Sequence, residues 1–192
     1  MKRKTFTTFD IVLMALLAVA SGVLTNYLAF VNKALTAIGG PIATSTITGI
    51  YMLYGVLAVY IIRKPGTALV TYLIGATVQS LLGNSYGMAS AYVAALCYAV
   101  AVETVFALFR YKRWGYGSVV TASLCAVPLW FVFAAYMFGY LKWSFPVLLA
   151  ALVVRCVSGV VLCGVLSKWI GDRLVKTGLL RFYEAGQTRK EV

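Results

Sequence analysis

Six apolar stretches separated by short basic loops constrain this chain more than any other feature. Each approaches the roughly 20 apolar residues that a helix needs to cross the hydrocarbon core of a bilayer. No water reaches that core, so a crossing segment must satisfy its own backbone groups, and a helix does so. The stretches fall at about 11–31, 42–62, 67–82, 88–109, 118–140 and 146–170. They predict an all-α integral membrane protein with a six-helix domain over residues 1–176 and a cytoplasmic tail over 177–192. The third stretch is short, with Pro65-Gly66 and Gly83-Asn84 at its ends. MKRK followed by IVLMALLAVASGVLTNYLAFV has the order of a signal peptide, but no A-x-A-like site follows. The first stretch is therefore read as a retained span. No internal repeat stands out, which disfavours an inverted-repeat carrier.

Composition supports the bilayer as solvent. Of 192 residues, 62% are hydrophobic and 11% charged, too little polar surface for a soluble domain of this size. The basic residues then orient the bundle. Lys2, Arg3, Lys4, Arg63, Lys64, Arg110, Lys112, Arg113, Lys168, Arg173, Lys176, Arg181, Arg189 and Lys190 fall on one side, against Lys33 and Lys142 on the other. By the positive-inside rule both termini are expected in the cytoplasm of a multi-pass cell-membrane protein. The net charge of +12 is thereby explained without nucleic acid.

The same inventory excludes several chemistries. There is no histidine, and the acids are only Asp10, Glu103, Asp172, Glu184 and Glu191. Histidine catalysis, a carboxylate metal cage and a histidine proton relay have no residues to work with. No GxxxxGK[ST] phosphate loop, nucleophile elbow or zinc-ligand spacing occurs. The chain is expected to be no enzyme, to hydrolyse no ATP itself and to carry no cofactor or metal. Cys97, Cys125, Cys156 and Cys163 are scattered through apolar stretches without a CxxC, as packing residues would be.

Polar groups inside the membrane are costly unless paired, so they mark candidates for function. Glu103 lies about fifteen residues into the fourth span and Arg155 about ten into the sixth, a depth difference of about 7–8 Å at 1.5 Å per residue. Either the two form a structural ion pair between helices, or they contact a substrate at mid-depth. The outer half collects Asn26, Tyr27, Asn32, Tyr51, Gln79, Asn84, Tyr86, Trp130, Tyr136 and Trp143. Single Tyr and Trp residues there fit an aromatic belt. Together, amides, hydroxyls and rings suit a flat, neutral or weakly charged heterocycle better than an anion. The small residues Ala15, Ala18 and Gly22 on the first span permit close helix approach, within the bundle or to another membrane subunit.

Five motifs in order, GPIATSTITGIY (40–51), YIIRKPGTALV (60–70), SLLGNSYG (80–87), AVETVF (101–106) and VVRCVSG (153–159), resemble the YkoE family. That family comprises the substrate-binding S components of energy-coupling factor (ECF) transporters for thiamine or its hydroxymethylpyrimidine precursor. The resemblance covers nearly the whole chain, and RKPG-x-A-L followed by LLGN is its most specific part. It implies a six-helix S component with an outward-facing site covered by the loops after spans 1 and 5. It also implies a membrane-embedded T component and a pair of cytoplasmic ATPases as partners, with Ala15, Ala18 and Gly22 docking the T component. Uptake would then proceed by toppling of the loaded S component. Gln79 and Tyr72 stand where the family carries glutamates. Gln79 can donate and accept toward an aminopyrimidine edge without complementing a cation's charge, so a neutral pyrimidine or another flat heterocycle competes with thiamine. The readings from other classes are a non-transporting scaffold or sensor, and a self-contained secondary carrier.

Overall fold

The computed structural model describes residues 5–180 and 182–187, so the basic residues at 2–4, Arg181 and the end of the tail lie outside the described residues. Helix α1 (Thr8–Ser45) is followed by α2 (Thr48–Ile62), α3 (Thr67–Leu81), α4 (Met88–Leu108) and α5 (Tyr116–Met137). A single 3₁₀ turn (Tyr140–Lys142) leads into α6 (Phe145–Ser158), which passes through a π-helical segment (Gly159–Val165) into α7 (Leu166–Lys176). A short α8 (Glu184–Gln187) follows, and no strand occurs among the described residues.

Four units are long and apolar enough to cross a membrane: α1, α4, α5 and the continuous Phe145–Lys176 rod. Helices α2 and α3 are apolar but have 15 residues each, about 22 Å at 1.5 Å per residue. That is shorter than the roughly 30 Å hydrocarbon core.

Local chemistry sets the ends of these helices. Thr7 and Asp10 form a capping box at the start of α1, with Thr7 N–H donating to Asp10 Oδ2 at 2.8 Å. The same Asp10 oxygen is held by Lys64 Nζ at 2.6 Å, and Lys64 also donates to the Thr5 carbonyl. Both charges are buried, so the RKPG turn is pinned to the start of α1. Gly66 is the residue before α3 and offers no side-chain cap. Glu103, from α4, supplies one instead: Oε1 accepts from the Ala68 N–H at 2.8 Å, and Oε2 accepts from the Tyr111 hydroxyl.

Helix α1 runs well past the expected end of the first span, to Ser45, with a break at Gly39–Gly40. Gly40 has φ 56° and ψ −143°, a backbone region open essentially to glycine alone. Thr44 and Ser45 return hydroxyl bonds to the Pro41 carbonyl and close this last turn.

Tyrosine-on-glycine packing joins α2 to α3. A Cβ on Gly55 would lie 2.2 Å from the Tyr72 ring, and one on Gly75 would lie 2.4 Å from the Tyr54 hydroxyl. Each helix thus offers a gap that the other fills, and the two rings meet edge-on at 5.0 Å. Tyr72 is completely buried and donates its hydroxyl to the Met52 carbonyl at 2.7 Å. Position 72 is therefore part of the core.

The small residues of α1 follow the same logic. Ala18 and Gly22 are buried, and a Cβ on Gly22 would come within 2.6 Å of Val78 on α3. Gly22 thus serves the contact between α1 and α3, and Ala18 is buried within the bundle. Ala15 is half-buried.

Candidate binding cavity

At the end of the bundle away from the start of α1, the break in α1, the start of α2, the end of α3, the start of α4 and the end of α5 surround a cavity of about 350 Å³. That is within the range of small-molecule sites. Helix periodicity decides which side chains reach it. Along α5, Trp130, Ala134 and the following Phe138 recur every four residues and all face inward.

Of the ten outer-half residues and Glu103, seven line this cavity: Asn32, Tyr51, Gln79, Asn84, Tyr86, Trp130 and Trp143. Four do not. Asn26 and Tyr27 border a separate shallow depression with Val23, Phe30 and Leu82, and Tyr27 is 70% exposed. Tyr136 is 71% exposed, on the outward side of α5. Glu103 caps α3, far along α4 from the cavity-lining Ser90–Ala95 turn.

The expected ion pair between Glu103 and Arg155 is not formed. Each finds nearer partners: Glu103 takes the unsatisfied N–H of α3 and the Tyr111 hydroxyl. Arg155 points to the cavity end, where Nε donates to Ser45 Oγ at 3.0 Å and Nη2 to the Tyr140 hydroxyl at 3.3 Å. Its guanidinium lies 5.0 Å from the Phe131 ring centre and 5.3 Å from that of Tyr140. The residue is 5% exposed, and it belongs to the cavity wall.

The wall contains polar atoms with nothing to bond. Asn32 Nδ2 donates to the Tyr86 hydroxyl at 2.6 Å, while Asn32 Oδ1 is buried without a partner. The Tyr51 hydroxyl is also buried: it lies near that of Tyr86 but makes no hydrogen bond of good geometry. Buried polar atoms are almost always paired in a finished core. An acceptor and a hydroxyl left open on one cavity wall are what a hydrogen-bonding ligand would complete. Asn84 contributes differently: its Oδ1 accepts from the Tyr86 N–H at 3.0 Å and its Nδ2 donates to the Gly87 carbonyl, so it shapes the turn that presents Tyr86.

Aromatic rings form the remainder. Tyr98 meets Trp130 at 6.1 Å, Trp130 meets Phe138 at 6.3 Å, and Phe138 meets Tyr86 at 5.7 Å and Tyr140 at 6.0 Å. Sequence reasoning missed Tyr54, Tyr98, Phe138 and Tyr140. For the first two a signal existed: a hydroxyl deep in an apolar span has to find a partner or face a cavity. Trp143 covers the opening from the side of the break, its ring 3.3 Å from where a Gly40 Cβ would lie.

Architecture and cavity together define a class. A solved structure of an S component of an ECF transporter matches with a TM-score of 0.91 and 32% identity, over 97% of this chain and 94% of that one. Residues 9–129 match the family described as ABC-type cobalt transport system, permease component. YkoE of Bacillus subtilis (strain 168), which is named as an HMP/thiamine permease protein, is 32% identical over 188 residues, 98% of this chain and 94% of its own. The chain belongs to the YkoE family of ECF S components. It is a multi-pass membrane protein that binds a substrate for transport, and it is not an enzyme.

Proposed function

We propose that this S component captures an aminopyrimidine of the thiamine type from outside the cell and hands it to partner subunits for ATP-driven uptake. The carrying observation is the cavity itself, with aromatic rings on its walls and an open acceptor and hydroxyl at Asn32 and Tyr51. Rings stack on a flat heterocycle, and the open atoms match the alternating donors and acceptors on an aminopyrimidine edge. Gln79, half-buried on the same wall, adds an amide that can do either. A metal cargo is disfavoured, because no group of three or more His, Cys, Asp or Glu side chains able to hold a metal ion comes together among the described residues.

Orientation follows from charge. We read α2 and α3 as crossing together with the four longer units, giving six spans and cytoplasmic termini, with the cavity toward the outside. The basic loops at Arg63–Lys64 and Arg110–Arg113 lie at the end opposite the cavity. A membrane-embedded T component and two cytoplasmic ATPases would complete the transporter, since this chain has no nucleotide-binding motif.

Purified full-length protein tests the reading by thermal unfolding against a panel of water-soluble vitamins and their precursors. Hydroxymethylpyrimidine or thiamine should raise the transition, and Gln79→Ala should reduce that shift. An unfolding temperature indifferent to every compound would overturn it and leave a membrane scaffold as the better description.

A further inference from the structure

The basic loop residues at the end opposite the cavity fall into two groups. Arg63 and Lys64 are used inside the protein: Lys64 holds Asp10, and the Arg63 guanidinium lies 5.5 Å from the Tyr60 ring centre and 5.1 Å from that of Trp114. Arg110, Lys112 and Arg113, in the turn between α4 and α5, are exposed, and their side chains make no hydrogen bond, ion pair or ring contact among the described residues. The described acids are placed elsewhere: Asp10 on Lys64, Asp172 on Lys168, Glu103 on α3 and Tyr111, and Glu184 within electrostatic reach of Arg63. Three cations within four residues thus stand uncompensated on one turn. That turn is also fixed. Arg110 and Tyr111 have φ of 51° and 53°, the left-handed region that glycine fills more cheaply. The Tyr111 hydroxyl donates to Glu103, Trp114 Nε1 donates to the Tyr111 carbonyl at 3.2 Å, and the Trp114 ring stacks on Phe106 at 5.0 Å. The two aromatic side chains are engaged with the protein, and the three basic ones stay outside.

We infer that the turn formed by Arg110, Lys112 and Arg113 is a binding site for the phosphate of an anionic phospholipid, in the leaflet at this end of the bundle. Topology asks only that basic residues lie on this side; it does not require three together on one fixed turn without an acid. Each Lys or Arg beside an anionic membrane surface strengthens the attraction about fivefold. The arginines can fork a phosphate with parallel donors, and the lysine adds a point charge. What favours a lipid over a soluble anion is the surface beside the cations. Leu108, 77% exposed at the end of α4, and Tyr116, 49% exposed at the start of α5, flank the turn. An acyl chain can cover them while its headgroup meets the charges. Because Tyr111 and Trp114 hold the turn in place, little order has to be created on binding. None of these residues lines the cavity, so the site is independent of the transported substrate.

The test is native mass spectrometry of the purified full-length protein, titrated in detergent with phosphatidylglycerol or with phosphatidylcholine of the same acyl chains. The wild type should bind phosphatidylglycerol at least about tenfold more tightly. The pair Lys112→Gln and Arg113→Gln should lose about tenfold or more for phosphatidylglycerol and stay within about twofold for phosphatidylcholine. A charge-matched pair on α7, Arg173→Gln and Lys176→Gln, should change phosphatidylglycerol affinity by less than about threefold. Lys112→Gln alone, a wholly exposed change, should lose about three- to fivefold and keeps the site testable if the pair does not fold. Equal wild-type affinity for the two lipids would overturn the inference. So would a preference that survives loss of Lys112 and Arg113, or one that the α7 pair reduces as much. Displacement of the lipid by inorganic phosphate at equal concentration would make this a free-anion site and overturn the lipid assignment. Unchanged lipid binding with lost capture of a partner subunit would give the turn to an acidic protein surface instead.

Discussion

The two ends of this bundle solve opposite problems with similar residues. At the end holding the start of α1 and α8, three of the four described acids are held by named partners: Asp10 by Lys64, Glu103 by Ala68 N–H and Tyr111, and Asp172 by Lys168 at 2.8 Å. Tyrosines there are engaged as well, as in the pairing of Tyr60 with Asp172. At the cavity end the hydroxyl of Tyr51 and the Oδ1 of Asn32 are left open, and no acid among the described residues lines the wall beside Arg155. The lesson is one of allocation. The closed end holds the fold together, and the open end keeps its hydrogen-bonding capacity for something that arrives. The comparison can be broken by substitutions that should act on stability alone, or on binding alone.

The largest effect is expected between the two ends, where α2 meets α3. Gly55→Leu would drive a branched side chain into the Tyr72 ring, which already lies 2.2 Å from an added Cβ. Tyr72 cannot move aside, because it is completely buried and bonded to Met52. The loss should be about 3 kcal/mol or more, seen as early unfolding in micelles. A fully stable Gly55→Leu protein would mean that α2 and α3 do not pack as described.

Next comes the closed end. Glu103→Ala removes the acceptor from the Ala68 N–H and the Tyr111 hydroxyl together. Leaving such groups unpaired costs about 2 kcal/mol. Pyrimidine affinity should stay within about twofold of wild type, since Glu103 does not line the cavity. A large loss of affinity with unchanged stability would restore Glu103 as a ligand contact.

Glu103 marks the boundary of what the sequence conveys. Six apolar stretches and their loop charges make the all-helical membrane class legible, because bilayer thickness and backbone satisfaction leave few alternatives. The motifs make the S-component family legible. Tertiary partners are another matter. Depth arithmetic brings Glu103 and Arg155 within reach of each other, but it cannot see that α3 begins without a side-chain cap beside α4, nor that Tyr111 turns back to the same carboxylate. Tyr72 illustrates the same limit: its sequence neighbours mark it as part of an apolar span, while its role depends on Gly55 in the facing helix. The break at Gly39–Gly40, which lets α1 supply Asn32 and Thr44 to one cavity, is written in a glycine pair but takes its purpose from Trp143 packing over it.

The open end predicts a smaller and opposite pattern. Tyr51→Phe deletes a hydroxyl that makes no hydrogen bond of good geometry within the protein. Stability should therefore stay within about 0.5 kcal/mol of wild type or rise slightly, because an unpaired buried donor disappears. Pyrimidine affinity should fall about tenfold, or about 1.4 kcal/mol. A variant that loses stability but binds normally would place Tyr51 among the structural residues and erase the contrast between the two ends.

The smallest effect is the most discriminating for where the cavity stops. Tyr136 is an aromatic residue of the same helix as Trp130, close enough in sequence to look equivalent. Helical geometry separates them: Trp130, Ala134 and Phe138 repeat every four residues on the inward side, and Tyr136 falls midway between two of them. Its ring is 71% exposed and stands on the outer surface. Tyr136→Ala should leave pyrimidine affinity unchanged in a fluorescence titration and shift stability by no more than about 0.5 kcal/mol. The paired variant Phe138→Ala removes a ring that contacts Tyr86, Trp130 and Tyr140, and should weaken binding where Tyr136→Ala does not. Equal losses from both would mean that α5 is rotated relative to this description, and every assignment on its inward side would have to move with it.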